Sequence, residues 1–161
     1  MNSSLANTFP LNILLHSRRP LLSILVGWLT TSIPALGLAV LAGWLLPNAS
    51  SPDLPNEGMI AFIAIVIISP LLETLIMAAV IELGLLFLPP LQMVILSSIG
   101  WGIAHSLSAP AWGLVIWWPF LIFSTLYVTW RGEGRGKALA IVASVHALNN
   151  LIPALLLLRS A

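Results

Sequence analysis

Five apolar stretches, about Leu21–Leu46, Met59–Leu88, Leu91–Leu107, Trp112–Trp130 and Ala138–Leu158, occupy most of the chain. Each is long enough to cross a bilayer as a helix, which needs roughly 17–25 residues. A soluble domain of this length has no core large enough to hide so much apolar surface. Charged residues supply 7% of the chain, against roughly 25% in ordinary soluble domains, and mean hydropathy is +1.05. Lipid must cover what the protein cannot. The expectation is an all-α, polytopic membrane helix bundle of about five transmembrane helices, forming one domain over residues 1–161.

The second stretch is too long for one straight span and carries Pro70 and Gly84, so a tilt, a kink or an extra interfacial turn is expected there. Pro34, Pro119 and Pro153 mark possible bends in other helices. The connection Pro47–Gly58 is polar and proline-rich, whereas those at Pro89–Pro90 and Ser108–Ala111 are short enough to make tight antiparallel pairs. No internal repeat is visible. "SRRPLLSIL" (Ser17 to Leu25) has the look of a twin-arginine export signal, but the apolar run continues to Leu46, about twice the length of a signal core. A first membrane helix held by arginines on the inner side fits better.

Basic residues set the expected orientation. With the N-terminus cytoplasmic, Arg18, Arg19, Arg131, Arg135 and Lys137 share the inner side, and Arg159 alone lies outside with the acidic Asp53 and Glu57. Trp44 and Trp112 then fall near the outer interface and Trp130 near the inner one, as an aromatic belt would have them. The net charge of +1 and the absence of a basic cluster give no nucleic-acid footprint. With no cysteine, disulfides, thiolate metal sites and a cysteine nucleophile are excluded.

Few ionisable groups lie inside the spans: Glu73, Glu82, His105 and His146, with Asn149 and Asn150 beside the last. Such a group at mid-membrane costs at least a few kcal/mol and is read as functional, with a partner to be found. Counted from the cytoplasmic ends at about 1.5 Å per residue, Glu73 lies roughly 22 Å in, His105 roughly 21 Å, Asn150 roughly 18 Å, His146 roughly 12 Å and Glu82 roughly 9 Å. Nine residues at about 100° each put Glu82 on the opposite face from Glu73. Glu82 is therefore expected to meet headgroups or pair with Arg131, Arg135 or Lys137. His146 and Asn150, four apart, share a face, while Asn149 points elsewhere and is expected to bond a neighbouring helix.

A buried carboxylate with two imidazoles and an amide suits water activation. Glu73 would take a proton from water and return it to a leaving amine, one of His105 and His146 would hold that water, and Asn150 with the other imidazole would donate to the oxyanion. Ser97, Ser98 and Ser106 lie in no nucleophile elbow. Glu and two His also make three zinc ligands with room for water in the fourth position, although no His-Glu-x-x-His helix is present. The two histidines as axial haem ligands, or a small proton-coupled transporter, are further readings. No buried Arg or Lys is there to pair haem propionates, and no repeat supports a transporter.

The pattern resembles the CPBP family of intramembrane glutamic endopeptidases, which includes CAAX prenyl proteases and bacteriocin-processing, Abi-type proteins. Its first motif reads E-E-x-x-x-R after an apolar stretch with proline; "SPLLETLIMA" keeps Pro70 and Glu73 but has Thr74 and Ala78 for the second glutamate and the arginine. Its second, F-x-x-x-H, corresponds to Trp101 and His105, and its third, H-x-x-x-N or D, to His146 and Asn150. The resemblance covers about Met59 to Leu158. It implies that Glu73 activates water, that His105, His146 and Asn150 complete the catalytic site, and that no metal or other cofactor takes part. It further implies a membrane-associated protein or peptide as substrate and a multi-pass place in a cell (plasma or inner) membrane, of bacterial type, with the lipid bilayer and no nucleic acid as partner. The departures at Thr74 and Ala78 leave the alternative of a catalytically inactive membrane scaffold or immunity-type protein on the same fold.

Overall fold

Prolines mark where helices begin. The structure is a computed structural model that describes residues 10–49 and 58–160, with side chains as far as Leu158. After a short helix α1 (Leu11–His16), α2 (Pro20–Leu45) begins on a proline, as do α5 (Pro90–Ser106) and α6 (Pro110–Trp130). A proline at the first helical position gives up only an N–H that would have no helical partner, and its fixed φ suits the turn. Between α2 and α5 lie α3 (Gly58–Ile63) and α4 (Ser69–Gly84), joined by a wide turn at Ala64–Ile68. Within that turn the Ser69 N–H donates to the Ala64 carbonyl, five residues back instead of four. The last helix, α7 (Arg135–Ser160), follows a short turn closed by Gly134, whose φ of 131° suits glycine.

The described residues form an all-α bundle, with four segments long and apolar enough to cross a membrane: Pro20–Leu45, Gly58–Gly84, Pro110–Glu133 and Arg135–Leu158. The fifth expected span, α5, has 17 residues, the short end of the spanning range. It nonetheless runs beside α6 as a long antiparallel hairpin. Ser124 Oγ donates to Ser97 Oγ at 2.9 Å, and Trp101 stacks on Phe120 with centroids 4.3 Å apart. Near the hairpin's turn, a Cβ on Gly113 would come within 1.8 Å of Ser106 Oγ and 2.3 Å of the Gly102 carbonyl oxygen. Close approach is what requires glycine there.

Helix α6 is the centre of the bundle. Its Phe120, Phe123, Leu126, Tyr127 and Trp130 are buried against Met77 and Ile81 of α4 and Val142 and Val145 of α7. The exterior is apolar as well: Leu21, Ile60 and Leu107 are each more than 80% exposed. A surface of that kind suits lipid and not water.

One end of the bundle is ionic. Arg131 donates to Glu82 through Nε (2.8 Å to Oε1) and Nη2 (3.0 Å to Oε2), and Arg135 Nη2 lies 2.9 Å from Oε2. Lys137 and Arg18 both bond Glu133. Glu82 thus turns away from Glu73 and pairs with two of the three bases expected for it.

Two expectations change. The second apolar stretch ends as helix at Gly84 and not at Leu88, because the chain turns there and Gly84 lies against the Met93 side chain of α5. Its irregularity is the wide turn just before Pro70. Trp130 is 1% exposed, which makes it a core residue and not a member of an interfacial belt; its ring face meets the Lys137 ammonium at 4.6 Å. Asp53, Glu57 and the side chain of Arg159 lie outside the described residues.

Candidate functional site

Helices α4, α5 and α7 each bring one ionisable side chain to a common point. Glu73 Oε2 lies 3.9 Å from His105 Nε2 and 3.8 Å from His146 Nε2. Depth explains the meeting of Glu73 and His146: Glu73 is eleven residues from the end of α4 at Gly84, and His146 is eleven from the start of α7 at Arg135. Both therefore sit about 16 Å from the ionic end. The ten-ångström mismatch expected from sequence came from counting the second helix as far as Leu88, about 6 Å too far, and the last only from Ala138, about 4 Å too short.

Each group is held from behind. Ser69, one turn before Glu73, donates its hydroxyl to Oε1, leaving Oε2 to face the histidines. His105 Nδ1 lies 2.9 Å from the Trp101 carbonyl. A carbonyl only accepts, so Nδ1 carries a proton, and in the neutral form of the ring Nε2 holds a lone pair. His146 differs: its Nδ1 is buried with no hydrogen-bond partner among the described residues. Its Nε2 faces a carboxylate, and two acceptors repel, so the ring's proton belongs on Nε2. One imidazole accepts and the other donates.

Aromatic rings wall the site. Trp112 meets His105 edge-on at 4.9 Å, Phe123 lies 4.5 Å from His146, and Phe120 touches both imidazoles. Trp101, its ring centroid 5.7 Å from that of His105, is the one that the motif pattern tied to the site; the others escaped it, since a ring lining a site and a ring in the core share one pattern. Trp112, expected near the outer interface, packs on His105. The Glu73 to histidine separations exceed a hydrogen bond and suit a water that donates to the Glu73 carboxylate and to His105 Nε2. Among the described residues, no group of three or more His, Asp or Glu side chains has the spacing of a metal site. A carboxylate oxygen within 3.9 Å of both Nε2 atoms also leaves no place for a porphyrin between the rings.

Asn150 shares a face with His146 but bonds elsewhere. Its Nδ2 donates to the Ile65 carbonyl at 3.1 Å, in the wide turn before α4. Asn149 joins the bundle by accepting from Ser32 Oγ of α2 at 3.2 Å, the interhelical role expected for it. Thr74 and Ala78, where the resemblance would have Glu and Arg, are 2% and 5% exposed and point into the core. Beside the site, a cleft of about 330 Å³ separates Val66, Ile67, Pro70 and Leu71 from Ala140, Ala143, Ser144 and Ala147 of α7.

No protein-family model matches the chain, and no curated protein or solved structure matches it either.

Proposed function

We propose that the protein is a membrane-embedded endopeptidase that hydrolyses a peptide bond in a membrane-associated protein or peptide, with water activated by Glu73. The observation that carries this reading is the convergence of a carboxylate and two imidazoles on Glu73 Oε2, inside an aromatic enclosure. The motif resemblance to the CPBP family supports it.

In the proposed reaction, a water donates one hydrogen bond to Glu73 and one to His105 Nε2. Glu73 takes its proton as the oxygen attacks the substrate carbonyl carbon, and the carbonyl electrons move onto oxygen. The His146 Nε2–H donates to that oxyanion. The carbon–nitrogen bond then breaks, and Glu73 returns the proton to the departing amine, leaving a carboxylic acid and an amine. Asn150 has one N–H committed to Ile65, so it reaches the oxyanion at most through the other. A site about 16 Å from the ionic end of helices this apolar acts on a bond that enters the bilayer. The bases Arg18, Arg131, Arg135 and Lys137 at that end make it the cytoplasmic one, in a multi-pass protein of a cell membrane.

Burial of Thr74 and Ala78 favours a second reading, an inactive scaffold or immunity-type protein, because the charged pair of the motif is replaced here by core packing. Comparing the membrane and secreted proteomes of the wild type and Glu73→Gln separates the two. A cleavage product lost in the variant supports hydrolysis; identical proteomes support the scaffold.

A further inference from the structure

The carbonyl of Ile65 has no backbone donor available to it. In an α-helix its partner would be the N–H of Ser69, but that N–H goes to Ala64. In the wider bonding of the turn its partner would be residue 70, which is proline and has no N–H. A carbonyl left dry in this way costs free energy comparable to a lost hydrogen bond. The Asn150 amide supplies the missing donor at 3.1 Å, from the face of α7 that carries His146 one turn earlier.

The two contacts bracket a stretch of each helix. Asn150 grips Ile65 at one end, and His146 faces Glu73 at the other. Between them on the α4 side run Val66, Ile67, Pro70 and Leu71, which line the 330 Å³ cleft against α7. The Asn150 bond, at the far end of that stretch, constrains how α4 is turned toward α7.

From this we infer that Asn150 is a positioning residue: it latches α7 to the carbonyl that Pro70 leaves unpaired, and so sets Glu73 against His146. This role goes beyond the oxyanion donation expected of Asn150 and makes Pro70 and Asn150 a coupled pair. It rests on the proposed site for its purpose but not for its test.

The chain has three histidines, so selective ¹⁵N-histidine labelling of the full-length protein in nanodiscs gives a sparse spectrum that reports on His146. Glu73→Gln identifies the signals that sense the carboxylate. Asn150→Ala is expected to shift the His146 signal. Pro70→Ala combined with Asn150→Ala is expected to return it toward the wild-type position, because an N–H at residue 70 gives the Ile65 carbonyl a backbone donor again. An unmoved His146 signal in Asn150→Ala, or a double variant with no recovery, overturns the latch. Should Asn150→Ala not accumulate, the double variant decides: accumulation with wild-type histidine signals supports the latch, and failure to accumulate overturns it. A protein with no peptidase activity that still shows this rescue would refute the proposed function and leave the latch standing.

Discussion

Glu73 Oε2 and His146 Nε2 lie 3.8 Å apart at matched depth on antiparallel helices, with His105 Nε2 approaching the same oxygen from a third. The two imidazoles are not equivalent. His105 has its Nδ1 proton fixed by the Trp101 carbonyl, whereas the buried Nδ1 of His146 meets nothing polar among the described residues.

The expected tautomers are therefore opposite: Nδ1–H at His105 and Nε2–H at His146. The ¹⁵N shifts of the neutral rings would check this, since protonated and bare ring nitrogens resonate far apart. Under the hydrolytic reading, Glu73→Gln loses about 10²–10⁴-fold in rate as the base is removed. His146→Leu loses about 10²–10³-fold as one oxyanion donor is removed. A bare Nε2 at His146 would rule it out as that donor.

The second membrane glutamate should behave differently. Glu82 accepts from Arg131, Arg135 and Tyr127, and losing it leaves a half-buried guanidinium short of its counter-charge. Glu82→Gln is expected to cost about 1–3 kcal/mol of stability, seen as earlier thermal unfolding in detergent. Cleavage by the molecules that remain folded should be unchanged. A loss of cleavage without a loss of stability would move Glu82 into the site.

What could be read from sequence follows the size of the penalties involved. Apolar length fixes the helices, and an ionisable group costs enough in lipid that Glu73, His105 and His146 stand out in a single sequence. Even the turning away of Glu82 follows from nine residues of helical rotation. The Ile65 to Asn150 bond could not be read, because the need for it arises from a change in backbone bonding that no side-chain pattern announces. Trp130 was misread because a buried and an interfacial tryptophan look alike near the end of an apolar run, and only α7 folding over it decides. The depth of Glu73 was misjudged because Leu85 to Leu88 are as apolar as the helix they follow.

Placing a glutamate at position 74, as the resembled motif has it, should not improve the protein. Thr74 is buried in the core of the bundle, and its hydroxyl has no hydrogen-bond partner among the described residues. A carboxylate at that position would be unpaired and dry, so Thr74→Glu is expected to destabilise by about 3–5 kcal/mol. Thermal unfolding in detergent checks this. A stable Thr74→Glu with increased cleavage would mean that a counter-charge reaches the position.

Orientation can be tested against a clean background, since the chain has no cysteine. Gly132→Cys, in the turn between α6 and α7, should resist a membrane-impermeant thiol reagent applied to intact cells. Asn48→Cys, exposed just past the end of α2, should react. The reverse pattern would invert the proposed topology.

The α5–α6 hairpin sets where His105 stands, and glycine sets the hairpin. A methyl on Gly113 would strike Ser106 Oγ and the Gly102 carbonyl. The hydroxyl can rotate away, but the backbone oxygen cannot. Gly113→Ala is therefore expected to push α5 from α6 at a cost of about 1–3 kcal/mol. His105 lies one residue before Ser106, so the same push draws its ring from Glu73, and cleavage falls along with stability. Gly37→Ala is the control: nothing lies within 4 Å of the added methyl, and alanine there should stabilise α2 by about 0.5–1 kcal/mol. Thermal unfolding and cleavage measured side by side on the two variants would check both. A neutral Gly113→Ala would show that the hairpin opens without cost, and His105 would then need another anchor.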